Sequence, residues 1–152
     1  MLKKKFLIIF LFLFVLSCGY TPLYNNINNN NFSINVESLE GDNDTNRSIN
    51  LNLRKYKNNN SENKFFLKII SQYEKRDLSK DSSGNVSNYQ INLSSQFYIT
   101  KNGKNTIFSF KESYNLNKLE NTFDNLNNEK NIKNTFATSA VNRLILELAQ
   151  IK

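Results

Sequence analysis

The segment 89–116, YQINLSSQFYITKNGKNTIFSFKESYNL, has the pattern of two β-strands joined by a tight turn. Apolar and polar residues alternate through both halves, which is typical of strands with one buried face. Asn102-Gly103 is the pair that two-residue type I′ turns favour. A turn there predicts a strand register in which large apolar residues meet on one face. The exception is Leu93, which lies opposite Glu112. The predicted pairs are Phe97–Phe108, Ser95–Phe110, Ile91–Tyr114 and Tyr89–Leu116.

The alternation continues on the N-terminal side of this hairpin. Residues 64–77 predict a third strand, with Phe65, Leu67 and Ile69 on one face. Residues 79–85 are expected to form the loop that leads into the hairpin. Phe32–Leu39 predicts a further strand, because its apolar residues also alternate with polar ones.

Two segments predict helices. Residues 46–57 fit a strand, but Ile49, Leu53 and Tyr56 also fit one helix face, and we interpret them as a short helix. Asn46 or Ser48 is expected to cap its start. The preceding residues, with Asp42 and Asp44, are interpreted as a loop, and 117–131 as a polar stretch. Residues 131–152 predict a long amphipathic helix, because apolar residues recur every four positions at Ile132, Phe136, Ala140, Leu144 and Leu148.

The predicted element order is β-α-β-β-β-α. It indicates an α+β fold over residues 32–152, a two-layer sandwich with a four-stranded, largely antiparallel sheet and two helices on one face.

The N-terminus reads MLKKKFLIIFLFLFVLSC, a basic start followed by an apolar run from Phe6 to Leu16. A bilayer crossing needs about 20 residues, and this run has the length of a signal-peptide core. Val15-Leu16-Ser17-Cys18 resembles a bacterial lipobox, which predicts a signal peptide over 1–17, cleavage between Ser17 and Cys18, and lipidation of Cys18. Residues 18–31 then form a polar tether. The alternatives are an ordinary secretory signal and a short uncleaved anchor.

The composition excludes several kinds of catalytic and metal site. The chain has no histidine and one cysteine, which rules out Ser-His-Asp and Cys-His catalysis, His-ligated metals and an intrachain disulfide. The formal net charge of +7 is compatible with anionic partners without establishing one. We therefore expect no enzymatic activity, no metal and no cofactor.

Two short motifs resemble a known family. Residues 18–24, CGYTPLY, resemble the start of mature LptE proteins of the alphaproteobacterial type, the LPS-assembly lipoproteins. Ser113-Tyr114-Asn115-Leu116 resembles a pattern of that family at the end of its last strand, and Leu51-Asn52-Leu53-Arg54-Lys55 lies where the family has a short first helix. The expected element order agrees with the family's fold.

This resemblance implies a lipid-anchored protein on the periplasmic side of the outer membrane. LptE-like proteins associate with the LptD β-barrel as a plug and assembly factor and assist lipopolysaccharide transport to the outer leaflet. Contact with lipopolysaccharide itself is possible. The alternative is another periplasm-facing lipoprotein, such as a secretion pilotin or an assembly chaperone.

Four basic residues are candidates for contact with a partner or with lipopolysaccharide. Lys75 and Arg76 are placed at the loop after the 64–77 strand, and Lys101 and Lys104 flank the Asn102-Gly103 turn. Because successive turns of a meander lie at opposite ends, the four are not expected to form one patch. The alternative is a solvated charged surface. Nucleic-acid binding is not expected, because alternation places Phe108 on the core face, away from Tyr98.

Overall fold

The computed structural model describes residues 32–151. The elements are β1 (Phe32–Gly41), α1 (Asn43–Leu53) followed by a 3₁₀ turn (Arg54–Tyr56), β2 (Asn63–Lys80), β3 (Val86–Lys101), β4 (Lys104–Asn117) and α2 (Thr122–Leu148). The predicted signal peptide 1–17, the predicted cleavage and lipidation at Ser17 and Cys18, and the tether 18–31 lie outside the described residues.

The four strands form one sheet in the order β1-β2-β3-β4. The predicted hairpin register is confirmed throughout, from Lys101 opposite Lys104 to Tyr89 opposite Leu116, with Phe97 facing Phe108. Asn102 and Gly103 both have positive φ, 50° and 76°, as a type I′ turn requires. β2 and β3 are also antiparallel. The order β-α-β-β-β-α and the α+β class are therefore those predicted.

The first strand is the parallel member of this mixed sheet. Phe32 lies opposite Asn63 and Gly41 opposite Ser71, with a register shift between Val36 and Ser38. A parallel neighbour needs a crossover connection, which α1 provides.

The junction between β1 and α1 is closely packed. Gly41 has φ +90°, and a Cβ on it would lie 1.9 Å from the Ser71 carbonyl oxygen. The next amide, that of Asp42, donates to the same oxygen at 2.9 Å. The chain can turn here only because residue 41 has no side chain.

The prediction of a loop around Asp42 and Asp44 is wrong for Asp44, while Asp42 is the single residue that connects β1 to α1. Asp42 is the N-cap of α1, and Asp44 lies in the first turn of that helix. The Asp42 carboxylate accepts from the Thr45 amide at 2.9 Å and from the Thr45 hydroxyl at 2.6 Å. The helix therefore begins before the expected caps, and Asn46 is buried inside its first turn, where it donates to the Glu40 carbonyl.

The C-terminal helix also begins earlier than predicted, at Thr122 rather than residue 131. The Asn121 side chain caps it by accepting from the Phe123 amide at 2.9 Å. The helix ends at Leu148, so most of the segment expected to be a polar stretch is helical.

Both helices pack on one face of the sheet, as predicted. The core comprises side chains of α1, α2 and the three strands β1–β3 with exposed fractions of at most 3%: Ile34, Ile49, Leu53, Phe65, Leu67, Ile69, Ile91, Leu93, Phe97, Ile99, Phe136, Ala137, Ala140, Val141, Leu144, Ile145 and Leu148. The apolar i, i+4 stripe of α2 is thus its buried face, and its burial stabilises the two-layer arrangement.

Candidate functional site

The N-terminal half of α2 meets the sheet through polar groups instead of an apolar stripe. Asn125, Glu129 and Lys133 lie four residues apart and therefore on one face of the helix. They contact Asp42 at the start of α1 and the sheet residues Tyr73, Lys75 and Tyr89. We call these seven residues the polar seam.

Lys133 is the most buried charged group of this seam. Its ammonium lies 3.0 Å from the Asp42 carboxylate and 3.4 Å from that of Asp44. It also sits 4.3 Å from the centre of the Tyr73 ring, within the range of a cation–π contact. Burial alone would raise the pKa of Asp42, but the hydrogen bonds from Thr45 and Lys133 outweigh it and lower that pKa.

The rest of the seam joins α2 to β2 and β3. The Tyr73 hydroxyl donates to Glu129 at 2.8 Å, and the Tyr89 hydroxyl donates to Asn125 at 2.6 Å. Burial raises the pKa of Tyr73, and the hydrogen bond to the Glu129 carboxylate raises it further. Tyr73 therefore stays a neutral donor at ordinary pH, and the seam holds the helix in place.

The predicted position of Lys75 and Arg76 in a loop is wrong. Both lie within β2, where Lys75 is opposite Ile91 and Arg76 opposite Gln90. Lys75 points to the helix side, forms an ion pair with Glu129 and lies 4.0 Å from the centre of the Tyr89 ring. β2 stays paired with β3 up to Lys80, with register shifts between Asp77 and Ser79 and between Ser79 and Lys80, so it is longer than its apolar alternation indicates.

Arg76 projects to the opposite face of the sheet, on which neither helix packs. We call this the open sheet face. Arg76 donates to the Gln90 side chain, which in turn donates to Asn115 at 3.0 Å. A parallel row runs from Ser113 to Asn92 at 2.8 Å and from Asn92 to Glu74 at 3.2 Å. Side-chain amides and hydroxyls thus bridge β2, β3 and β4 in successive rows.

The two C-terminal strands give this face almost no charge. The open-face positions of β3 are Asn88, Gln90, Asn92, Ser94, Gln96, Tyr98 and Thr100, none of which is ionised. The corresponding β4 positions, from Asn105 to Asn117, include one charged residue, Lys111. The β3–β4 part of this face is therefore mostly polar and rich in groups that can donate and accept hydrogen bonds, whereas β2 adds the charged residues Lys68, Glu74 and Arg76.

The aromatic residues fall on the faces that the alternation predicted. Phe108 stacks on buried Phe97 with ring centres 5.8 Å apart, on the helix side. Tyr98 is on the open sheet face opposite Ile107, which is 60% exposed. The open face therefore carries an apolar patch at one end. Tyr98 and Phe108 lie on opposite faces of the sheet and form no stacked pair.

Lys101 and Lys104 flank the turn as predicted. Lys101 donates to the Ile151 carbonyl at 3.0 Å and lies 5.0 Å from the centre of the Phe65 ring, while Lys104 is exposed. Lys75 lies opposite Ile91 of β3, and Lys101 is ten residues further along that strand. Lys75 and Lys101 are therefore about 33 Å apart along the sheet. The four basic candidates therefore form no single patch, in agreement with the expectation from the meander.

A groove of about 560 Å³ separates the two helices at the edge of the polar seam. Arg47 and Leu51 of α1 line one side, and Leu126 and Lys130 of α2 line the other. Its lining combines two exposed leucines with both basic and acidic side chains, the acidic ones being Asp44 and Glu129.

The described part of the chain contains no group of three or more metal-ligating side chains. Neither helix within residues 32–151 combines the length and apolarity that crossing a bilayer requires. The polar seam was missed from the sequence, although the four-residue spacing of Asn125, Glu129 and Lys133 was a signal for it.

No protein-family model matches this chain, and no curated protein matches it either. Solved structures do match. The chain is similar to rare lipoprotein B from Shewanella oneidensis, with a TM-score of 0.54 and 18% identity, over 76% of this chain and 95% of that one. It is also similar to a candidate lipoprotein from Caulobacter crescentus, with a TM-score of 0.52 and 13% identity, over 77% of this chain and 88% of that one. At these identities the similarity concerns the fold: the α+β sandwich of this chain is one that solved lipoprotein structures share.

Proposed function

We propose that this protein is a lipoprotein of the outer membrane, anchored through Cys18 on the periplasmic side. We propose further that it acts like LptE, as a plug and assembly factor in an LptD-like β-barrel that assists lipopolysaccharide transport. Its role is binding, without catalysis. The N-terminal sequence supports the anchor, and the shared fold with structures named as lipoproteins supports the class.

The observation that carries the plug role is the chemistry of the open sheet face. A barrel lumen is lined with polar groups and water, so a plug needs a firm surface whose side chains exchange hydrogen bonds with such a wall. The neutral β3–β4 bridges, Gln90 to Asn115 and Ser113 to Asn92, provide such groups without a desolvation cost for fixed charges.

The Lys and Arg side chains supply a second, weaker argument. Phosphorylated lipid A is anionic, and charge-assisted hydrogen bonds from ammonium and guanidinium groups suit phosphate oxygens. Lys104 is exposed at one end and Arg76 on the open sheet face, so each is available to such a ligand.

Co-purification tests this function. We expect the protein, extracted in mild detergent, to bring down one large β-barrel protein in stoichiometric amount. Recovery of a multimeric secretin instead would favour the pilotin alternative, and recovery of no barrel would refute the plug role.

A pair of matched variants tests the surface. Ser109 is exposed on β4 at the open sheet face, opposite Gln96. Ser109→Arg places a long charged side chain there and is expected to lower the co-purified barrel about ten-fold, since an unpaired charge on a tightly fitted surface is costly. Thr135→Arg, on the exposed side of α2, adds the same charge and is expected to leave recovery unchanged. Equal recovery from both variants would show that the open face is not the contact surface.

A further inference from the structure

One end of the sheet carries an excess of positive charge. β1 and β2 begin there and β3 ends there, because Phe32 lies opposite Asn63 and Phe66 opposite Thr100. The Lys101–Lys104 turn and the last turn of α2 lie at the same end, joined by the hydrogen bond from Lys101 to the Ile151 carbonyl. The segments at this end are 54–64, 101–104 and 145–151. They contain six basic side chains, which we call the basic end: Arg54, Lys55, Lys57, Lys64, Lys101 and Lys104.

Acidic groups do not balance this charge. The same segments contain two acidic residues, Glu62 and Glu147, and no basic-end residue forms an ion pair with any residue in 32–151. Five of the six basic side chains are exposed, and Lys101 is half-buried. The opposite end differs, because its segments 74–85 and 117–130 contain five basic and six acidic residues. The domain therefore has one positive end and one nearly neutral end.

The basic end is also where the N-terminal segment joins the domain. β1 begins at Phe32, and thirteen residues, 19–31, separate it from Cys18. Fully extended, those residues span at most about 45 Å. With Cys18 anchored as proposed above, the basic end is the part of the folded domain that the chain ties to the bilayer.

We propose that the basic end binds the anionic phosphate headgroups of the membrane surface that holds Cys18, and so fixes the orientation of the domain. The proposal rests on the lipid anchor of the proposed function, and on no particular barrel partner. Long, exposed lysine side chains spread over several segments suit a surface of many phosphates better than they suit a single enclosed ligand. Lysines and arginines near an anionic bilayer each add to the attraction, which acts within a Debye length of about 10 Å at 0.1 M salt.

Fluorescence quenching at two positions tests the orientation. Asn59→Cys at the basic end and Ser82→Cys at the opposite end each replace an exposed residue and accept a thiol-reactive fluorophore. The parent chain, whose single cysteine is Cys18, gives the labelling blank. The full protein is purified in detergent and reconstituted into phosphatidylcholine vesicles, with or without phosphatidylglycerol, that carry a quencher on their headgroups.

We expect phosphatidylglycerol to raise quenching at residue 59 at least about three-fold and to leave residue 82 unchanged. Salt at 1 M, where the Debye length is about 3 Å, should abolish the gain. Lys55→Gln, Lys57→Gln, Lys64→Gln and Lys104→Gln together should also abolish it. The matched control is Lys80→Gln, Lys111→Gln, Lys118→Gln and Lys130→Gln, which removes the same charge from exposed positions elsewhere and should keep the gain.

Three results would overturn the proposal: equal quenching at both positions, quenching that ignores phosphatidylglycerol and salt, or equal losses in the two quadruple variants. The salt measurement uses no charge variant and therefore stands if one fails to fold. Failure of the anchor is seen separately, because an unanchored protein does not float with pure phosphatidylcholine vesicles. In that case, flotation of the same variants with phosphatidylglycerol vesicles tests the basic end by itself.

Discussion

Replacing Asp42 by alanine removes two interactions at once. One carboxylate oxygen of Asp42 caps α1 by accepting from the Thr45 amide at 2.9 Å and from the Thr45 hydroxyl at 2.6 Å. The other oxygen lies 3.0 Å from the Lys133 ammonium. The side chains of Lys133 and Asp42 are 11% and 20% exposed, so water compensates only partly for the loss. Asp42→Ala therefore tests both the cap and the seam.

The expected loss follows from these contacts. Removing an N-cap side chain costs about 1 kcal/mol. Removing one partner of a fully buried ion pair costs about 3–5 kcal/mol. Lys133 keeps Asp44 at 3.4 Å and is not fully buried, so we expect about 1–2 kcal/mol for this pair. The total for Asp42→Ala is about 2–3 kcal/mol in the free energy of unfolding.

Two variants separate the contributions. Asp44→Ala removes a side chain that is 79% exposed and should cost less than about 1 kcal/mol. Lys133→Met leaves Asp42 with its Thr45 contacts and some solvent, and should also cost less than about 1 kcal/mol. In the double variant Asp42→Ala/Lys133→Met no unpaired lysine remains. In the Lys133→Met background, Asp42→Ala should then lower the free energy of unfolding only by the contribution of the helix cap, about 1 kcal/mol.

Urea unfolding of the purified protein at pH 7, followed by circular dichroism, measures these differences. We expect Asp42→Ala to lower the urea concentration at the midpoint of unfolding and to leave the dependence of the unfolding free energy on urea concentration unchanged. Equal losses for Asp42→Ala and Asp44→Ala would refute the reasoning, because the two carboxylates differ in burial and in capping. A loss below about 0.5 kcal/mol for Asp42→Ala would refute it as well.

Three further outcomes are expected. Gly41→Ala should lower the free energy of unfolding by about 3 kcal/mol or more, because residue 41 has positive φ and a Cβ would overlap the Ser71 carbonyl. A melting temperature close to that of the parent protein would contradict this. Folding lowers the pKa of Asp42, so its ionised form stabilises the native state above about pH 4, and this stabilisation is lost as the pH falls through the lowered pKa. Asp42→Asn should therefore make the free energy of unfolding depend less steeply on pH in the acid range. An unchanged pH dependence would argue against this role of Asp42. Cys18→Ala should abolish incorporation of labelled palmitate, and continued labelling would exclude Cys18 as the acylated residue.

The hairpin was predictable because local and tertiary signals agree there. Alternation sets the buried face, and Asn102-Gly103 sets the register, so few alternatives remain. The start of α1 was misplaced because Asp42 lies among other turn-forming residues, and its role as a cap depends on where the chain leaves β1. The fold class did not depend on that boundary.

The polar seam could not be predicted from hydrophobic periodicity. The first turns of α2 have no apolar stripe, and their stability comes from partners distant in sequence, such as Tyr73 for Glu129 and Asp42 for Lys133. Lys75 was misplaced for the same reason, since the end of β2 is held by backbone pairing with β3 and not by its own side-chain pattern. Tertiary contacts decided both outcomes.

The parallel placement of β1 has a consequence for how the native state opens. β2, β3 and β4 follow one another in antiparallel pairs, so their pairing can begin beside a short turn and extend from it. Phe32, in contrast, must find Asn63 across thirty intervening residues with no turn to start from. Non-local pairs of this kind form late in folding and separate early. In native-state hydrogen exchange, the amides of β1 and α1 should therefore lose protection together, at a lower free energy than those of β3, which is paired with β2 on one side and β4 on the other.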